Sequence, residues 1–312
     1  MSKLSNVWVF SDTYSRLAEV ISGGLELGEN VKAIVLTEDE SKEAFAYGAN
    51  EVFLIENSDS NNIVENYSKS IAKVIMNEGK SLILMPGTKR CKSLASLLSI
   101  ELEAGLVTEV SEINIENNNI NCRHMVYGGL ANGLETITSE ASIAVIASGT
   151  FENTQKDESK TGEAQKVDFV ENKNSIKCIE KTSKEGSSVD LNKAKSIVAI
   201  GRGISKQEDI SLAEELCKVM DAELGCSRPI AEGEKWMEHE RYIGISSVMA
   251  KPEIYVAIGI SGQIQHMVGA KDSQTIIAIN KDKNAPIFDY ADYGIVGDLY
   301  TVLPAVTKAL KG

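Results

Sequence analysis

The amino-acid sequence predicts an α/β protein with two domains, each built on a mostly parallel sheet flanked by helices. Short apolar runs alternate with longer stretches whose apolar residues recur at helical spacing, which is the order of elements in such sheets. The alternation breaks at residues 181–188, a polar stretch typical of a linker, and then resumes. A chain of 312 residues is long enough for two cores. We therefore place the domains at residues 1–190 and 191–312.

The first domain begins with strands that alternate with helices. Apolar residues recur at helical spacing in 14–25 and 63–76, and a further helix starts at Lys89. The cations at its start include Arg90 and Lys92, and we interpret them as a solvated face, with a phosphate or acidic partner as the alternative. Because parallel strands need crossover connections, we expect helices on both faces of the sheet. The predicted strands are residues 7–10, 33–36, 52–55 and 82–85.

The chain then changes its pattern. Residues 113–115 and 120–122 alternate polar and apolar side chains around an Asn-rich tip at 117–119, which predicts a β-hairpin. A further strand is predicted at 143–147. Residues 151–162 are polar, lack apolar periodicity and are predicted to form a loop.

The second domain repeats the α/β rhythm. One helix is predicted at 207–220, and a final helix runs from about Asp298 to residue 310. Asp298 stands where a helix N-cap is favoured. The predicted strands are residues 197–200, 222–226, 254–258 and 275–280.

The composition argues against several classes of function. Lys and Arg total 32 against 45 Asp and Glu, a formal net charge of −13, which opposes binding to nucleic acid or to an anionic membrane. No apolar run approaches the ~20 residues that span a bilayer, and the N-terminus shows no signal-peptide pattern. The five cysteines form no CxxC pair and the three histidines are scattered, so no metal site is predicted. We expect a reduced, cytoplasmic protein.

A glycine-rich turn follows the apolar run 254–258. Gly259 and Gly262 turn the chain into a short helix, and such a turn lets backbone N–H groups approach a diphosphate. The next strand, 275–280, ends in Asn280 at the edge where α/β sheets bind ligands. The region therefore predicts a dinucleotide site. It lacks the GxGxxG spacing, so it matches a standard NAD site poorly.

The sequence of this region is similar to that of one known family. Residues 259–266 read Gly-Ile-Ser-Gly-Gln-Ile-Gln-His, and with its neighbours this string resembles the alpha subunit of electron transfer flavoproteins. The resemblance covers essentially the whole chain. The matching strings are residues 201–203, 226–229, 259–266, 278–282, 285–288 and 291–298. Residues 7–12, 124–129 and 235–242 resemble the FixB-type branch of that family.

The resemblance implies an electron carrier rather than a stand-alone enzyme. It implies a Rossmann-like C-terminal domain that binds FAD, and an N-terminal domain that pairs with a FixA-type beta subunit in a heterodimer. The pair would shuttle electrons between dehydrogenases or reductases, with an acyl-CoA dehydrogenase or reductase flavoenzyme or a quinone oxidoreductase as partner. Some members of this branch serve anaerobic carnitine reduction and others nitrogen fixation. The alternative is an electron-bifurcating complex, with a second flavin in the beta subunit, that feeds ferredoxin or quinone.

The resemblance also implies which residues contact FAD. Arg228 would lie over the isoalloxazine ring, and His266 would lie near its pyrimidine edge as a hydrogen-bond donor or a cation. Residues 244–247 depart from the Gly-Gln-Thr-Gly that is common in the family, although Ser246 keeps a hydroxyl that can donate. The implied contacts are Arg202, Ser227, Arg228, Gly244, Ile245, Ser246, Ser247, Gly259, Ile260, Ser261, Gly262, Gln263, Gln265, His266, Asn280, Asp298 and Leu299. No catalytic residue and no metal ligand is implied.

Two other classes of function stay open from the residues alone. An NAD-linked dehydrogenase is disfavoured because no His–acid pair stands beside a GxGxxG. An adenosine-binding module without redox function, built on the first domain, predicts a colourless protein. The polar cluster at 236–240 is interpreted as a solvent-facing segment rather than an acid–base site.

Overall fold

The structure is a computed structural model. It describes residues 2–57, 59, 61–76, 79–117, 119–173, 175–180, 189–191 and 193–312. The predicted linker at 181–188 lies outside these residues. The chain forms two compact units, Met1–Thr182 and Ser183–Gly312.

The first unit is built on one large sheet. Its strands occur in the order β7-β6-β5-β8-β4-β1-β2-β3-β9, and every neighbouring pair is parallel except β5–β6 and β6–β7. The predicted mostly parallel sheet is confirmed. The strands are β1 Leu4–Phe10, β2 Gly28–Val35, β3 Glu51–Glu56, β4 Ser81–Pro86, β5 Gly105–Glu116, β6 Asn119–Val126, β7 Ala131–Ile137, β8 Ala141–Ile146 and β9 Gln165–Asp168.

Helices cover this sheet on both faces, as strand β1 shows. Val7 and Val9 belong to one buried cluster, whereas Trp8 and Phe10 belong to another. All four side chains are fully buried. Because successive side chains of a strand point to opposite faces, both faces must be covered. The helices are α1 Tyr14–Leu27, α2 Glu38–Tyr47, α3 Ser68–Ile75 and α4 Lys89–Glu101.

Two helices of this unit differ from the sequence-based expectation. The helix expected over 63–76 begins as a 3₁₀ turn, Val64–Tyr67, before it becomes α3. Helix α2 was not predicted. It starts at a capping box in which Thr37 and Glu40 bond each other's backbone N–H groups, and it ends at Gly48 with a left-handed φ of 107°. Local caps therefore define α2, whose few apolar residues gave no clear periodicity.

The second unit is built on a smaller sheet that is parallel throughout. The strands occur in the order β11-β10-β12-β13-β14. They are β10 Ser196–Ile200, β11 Glu223–Cys226, β12 Ile254–Ile258, β13 Thr275–Asn280 and β14 Tyr293–Val296. The helices are α5 Ile210–Met220, α6 Ile264–Met267 and α7 Leu299–Lys311. The predicted N-cap is confirmed, since Asp298 accepts a hydrogen bond from the N–H of Tyr300 at 2.9 Å.

The described residues offer neither a membrane-spanning helix nor a cluster of metal ligands. No helix in that part of the chain is long and apolar enough to cross a membrane. No group of three or more His, Cys, Asp or Glu side chains there is arranged to hold a metal ion.

Candidate cofactor-binding site

A cleft opens where the strand order of the second unit reverses. Strand β11 lies on one side of β10, and β12, β13 and β14 follow on the other. The connections that follow β10 and β12 therefore lead to strands on opposite sides of this pair. Ligands of open α/β sheets bind outside the carboxyl ends of the strands at such a point. The cleft has a volume of about 450 Å³. The predicted site residues that line it are Arg202, Ser227, Arg228, Ile245, Ser246, Gly259, Ile260, Ser261, Gln263, Gln265 and His266.

The glycine-rich turn needs its two glycines. Gly259 has a φ of 62° and Gly262 a φ of 83°, a region that residues with a Cβ rarely adopt. A Cβ at Gly259 would lie 2.7 Å from the Cα of Gly203, and a Cβ at Gly262 would collide with the backbone N of Ile287. The loops after β10 and β12 therefore meet backbone to backbone. This close approach leaves main-chain groups at the floor of the cleft.

Two contacts from outside the cleft hold this turn in place. The side-chain amide of Asn280 donates to the carbonyl of Ile260 at 2.9 Å. The N–H of Ile287 donates to the carbonyl of Ser261 at 3.0 Å. Asn280 thus stabilises the glycine-rich turn. Its contact with the adenosine end of the cofactor stays a prediction.

The helix after the turn is a single turn long, from Ile264 to Met267. A macrodipole grows with the number of aligned peptides, so this helix offers an anion much less than a full-length one. Attraction for a diphosphate must come instead from the backbone N–H groups of the turn and from Arg202 on the cleft wall.

His266 lies in the wall of the cleft and is 8% exposed. Its Nε2 atom is 2.7 Å from the hydroxyl of Tyr255 on β12, whereas Nδ1 has no hydrogen-bond partner among the described residues. Desolvation by burial lowers the pKa of His266 to about 4, against a smaller opposing effect of the Ile243 backbone. The ring is therefore neutral near neutral pH, so of the two predicted roles the donor is favoured over the cation.

Arg228 stands at the rim with 66% of its side chain exposed. Its Nε atom donates to Glu232 Oε2 at 2.5 Å, and Nε2 of His239 lies 3.4 Å from the other oxygen of that carboxylate. The hydrogen bond from Arg228 lowers the pKa of Glu232. The segment that we interpreted as solvent-facing thus contributes His239 to a small polar cluster at the rim.

Ser246 also lines the cleft. Its hydroxyl lies 3.1 Å from the hydroxyl of Tyr242, whose ring packs edge-on against His239 with centroids 5.8 Å apart. The turn that carries it is tied to α6, because the N–H of Ile245 donates to the carbonyl of Gln265 at 2.8 Å. The turn at Ile245 and Ser246 is therefore connected to the helix that carries His266.

Some predicted site residues do not line the cleft. Asp298 caps α7, and Leu299 is buried with Leu303 in the core cluster on that side of the sheet. The remaining residues lie in the turns themselves and shape the backbone. The predicted residues outside the lining are Gly244, Ser247, Gly262, Asn280, Asp298 and Leu299.

Three residues line the cleft that were not predicted: Gly201, Pro229 and Tyr242. Each lies inside a sequence string that resembles the family. The resemblance could therefore have indicated these residues, although no cofactor contact was assigned to them. Cys226, just before Ser227, is fully buried, and burial raises the pKa of its thiol to about 12. It is a core residue beside the site.

A larger cleft of about 910 Å³ lies between α5, β11 and the segment around Trp236. None of the predicted site residues lines it, and the charged side chains around it are of both signs. The smaller cleft, at the strand-order reversal, is the better candidate for a dinucleotide.

The smaller cleft fits a flavin dinucleotide on three grounds. Its volume lies in the range of small-molecule sites. Arg202 supplies a cation suited to phosphates, and Arg228 supplies a second cation suited to a ring that gains negative charge. The unpartnered Nδ1 atom of His266 is a buried polar group, and such groups almost always have a partner in a complete site.

Comparisons with known proteins identify the family of the chain. The family model "Electron transfer flavoprotein FAD-binding domain" matches residues 190–271, and "Electron transfer flavoprotein domain" matches residues 16–172. Curated relatives named Protein FixB, from Salmonella typhimurium, Escherichia coli and Shigella flexneri, are 49% identical over 311 residues, which is 99% of each chain. A solved structure of a putative thiamin diphosphate-dependent enzyme from Mycobacterium smegmatis overlaps 98% of this chain and 60% of its own, with a TM-score of 0.24 and 8% identity.

The matched domain includes the glycine-rich turn, both cleft arginines and His266, and the cofactor is FAD. The similarity to FixB proteins extends over both units. The chain therefore belongs to the alpha-subunit (FixB) family of electron transfer flavoproteins.

Proposed function

We propose that this chain is the FAD-carrying alpha subunit of a heterodimer that shuttles electrons between dehydrogenases or reductases, and that it is a carrier and not an enzyme. The observation that supports this most is the cleft at the strand-order reversal, with Arg202, Arg228 and His266 in its walls. In this proposal residues 191–312 hold the cofactor and residues 1–190 bind the beta subunit. The bound FAD supplies the redox chemistry.

The chain's own residues bind and orient. Gly259 and Gly262 let main-chain N–H groups reach the diphosphate, and Arg202 pairs with its oxygens. Arg228 supplies positive charge at the rim, which favours added negative charge on the ring. His266 supplies a neutral donor from the wall. The remaining predicted site residues contact the cofactor or brace these groups.

We propose a FixA-type beta subunit as the partner of the first unit. Strand β7 is the edge of the nine-stranded sheet, and it exposes backbone groups that can pair with another chain. Large apolar side chains on and beside it are solvent-exposed, namely Tyr127, Leu130 and Leu134. An exposed edge that carries apolar side chains is typical of an interaction site.

We propose that the pair acts in the cytoplasm, in anaerobic reduction of carnitine or acyl-CoA substrates. Its partner would be an acyl-CoA dehydrogenase or reductase flavoenzyme or a quinone oxidoreductase. The FixB-type strings and the FixB relatives support this branch of the family. Electron bifurcation toward ferredoxin or quinone, as for nitrogen fixation, is the alternative that the following experiment separates.

The test is co-expression of this chain with a FixA-type beta subunit. We expect a yellow heterodimer that releases FAD on acid extraction. One FAD per heterodimer supports a simple carrier, and two support bifurcation. Finding FMN, or no chromophore after reconstitution with excess FAD, would contradict the proposal. Stopped-flow reduction with candidate donors and acceptors then identifies the pathway.

A further inference from the structure

A buried tyrosine–histidine pair lies beneath the cleft. Tyr255, on β12, is 0% exposed, and its hydroxyl lies 2.7 Å from Nε2 of His266. The rings are 6.2 Å apart and inclined at 44°, so the contact is made through the hydroxyl rather than by stacking. Of the two residues, His266 lines the cleft and Tyr255 does not. Tyr255 belongs to the core cluster that also contains Met267 and Ile276.

The proton between the two side chains can lie in either of two ways. If Nε2–H of His266 donates, the phenol hydrogen of Tyr255 lacks an acceptor and Nδ1 lacks a donor, because the structure shows no other partner for either atom in the residues it describes. If Tyr255 donates to Nε2, only the Nδ1–H group is left without a full hydrogen bond. Buried polar groups without partners destabilise a fold, so the second arrangement is favoured.

The charge state of the pair agrees with this arrangement. Burial lowers the pKa of His266 to about 4 and raises the pKa of the Tyr255 phenol. Both side chains are then neutral, and a neutral phenol is a donor. The Ile243 backbone opposes the shift of His266.

We propose that Tyr255 is a positioning residue that fixes His266 as the neutral tautomer protonated on Nδ1, and so provides the cleft wall with an uncharged donor for an acceptor atom of the bound cofactor. The second half of this statement rests on the proposed placement of FAD in the cleft. The first half concerns only this chain. Tyr255 touches no ligand and acts through His266.

The direct test is ¹⁵N NMR of histidine-labelled alpha subunit in the heterodimer with unlabelled beta subunit. Protonated and unprotonated ring nitrogens of a neutral histidine resonate far apart, so the tautomer is read directly. The His266→Gln variant assigns the signal. We expect Nδ1 protonated and Nε2 unprotonated. A signal showing Nε2–H, or a doubly protonated ring, near neutral pH would overturn the proposal.

The second test is Tyr255→Phe, which removes one hydroxyl and keeps the ring. We expect the His266 signal to move toward the other tautomer, and FAD dissociation to become about 2- to 10-fold easier, the loss associated with one neutral hydrogen bond. Tyr67→Phe, at a tyrosine that is also buried but lies in the first unit, is the matched control and should change neither quantity. An unchanged tautomer in Tyr255→Phe would count against the proposal.

The two tests separate this inference from the proposed function. A heterodimer that binds no FAD but shows the Nδ1–H tautomer overturns the function and supports the role of Tyr255. A heterodimer that binds FAD but shows Nε2–H on His266 does the reverse.

Discussion

At the scale of single residues, the balance of charge at the rim of the cleft decides how strongly Arg228 acts. Arg228 does not stand alone, because its guanidinium is hydrogen-bonded to Glu232, which His239 also approaches. A paired cation stabilises added negative charge less than a free one does. The sequence pointed to Arg228 through the resemblance, but only the structure shows the carboxylate that moderates it.

Opposite shifts are therefore expected from the two members of this pair. Arg228→Ala should lower the midpoint potential of the bound flavin, and Glu232→Gln should raise it, because each removes one charge of opposite sign. The measurement is spectroelectrochemical titration of both variants at equal FAD occupancy. Lys235→Ala, at an exposed neighbouring cation outside the cleft, is the control. Shifts of the same sign in both variants would place Arg228 away from the flavin.

A second residue-scale prediction concerns pH. The folded pKa of His266 is about 4, whereas an unperturbed ring titrates near 6.5. Between these values the unfolded chain binds a proton that the folded chain does not, so stability is lost as the pH falls through this window. The full loss is roughly 3 kcal/mol. His266→Gln cannot protonate and should lose less stability in urea unfolding between about pH 7 and about pH 5. Equal losses in both proteins would show that the ring is not held neutral.

At the scale of elements, the turn between β12 and α6 is the critical piece of the site. Gly259 has a positive φ, and a Cβ atom at this position would collide with the backbone of Gly203. Gly259→Ala is expected to destabilise the second unit by about 1–3 kcal/mol, the range for strained backbone positions. It should also weaken FAD binding by about tenfold or more, since ~1.4 kcal/mol corresponds to tenfold.

Gly233 provides the control for that substitution. A Cβ there meets no heavy atom within 4 Å, and its φ lies outside the left-handed region. Gly233→Ala should leave both stability and FAD affinity close to those of the unaltered protein. The measurements are thermal unfolding and fluorescence titration with FAD. Normal binding by Gly259→Ala would mean that the turn does not approach the diphosphate.

At the scale of the whole molecule, the exposed edge of the nine-stranded sheet is where we expect the partner subunit. Leu134 on β7 is 71% exposed, which an isolated unit tolerates but which a partner would cover. Leu134→Lys should weaken heterodimer formation by about tenfold or more, since truncating or charging a central apolar contact typically removes over 1 kcal/mol.

The same substitution should leave the fold of the chain intact. Ile100→Lys, on α4 and similarly exposed, is the matched control and should not affect pairing. Surface plasmon resonance with immobilised beta subunit gives the affinities, and circular dichroism monitors the fold. If Ile100→Lys weakens pairing and Leu134→Lys does not, the interface lies on the helical face instead of the sheet edge.

Three strands were not predicted from the sequence, and the physical reason is the same for each. Strands β9 and β14 lie at sheet edges, and most of their side chains are exposed. Strand β7 is likewise an edge strand with one buried residue, Ile137. Pattern analysis detects a strand through the side chains that it buries, whereas these strands are held by backbone pairing with a neighbour. The central strands β1, β10 and β12 bury nearly every side chain and were predicted within a few residues.

The sequence by itself determined the α/β class, the central strands, the glycines of the turn, the N-cap of α7 and, through family resemblance, the cofactor. These depend on apolar periodicity, on backbone conformations that glycine favours and on sequence motifs shared with the family, all of which are local in the chain. Only the tertiary structure decided that Asn280 braces the turn and that Tyr255 underlies His266. These pairs join side chains whose geometry and burial depend on how the sheet and its loops pack, and burial is what sets the charge of His266.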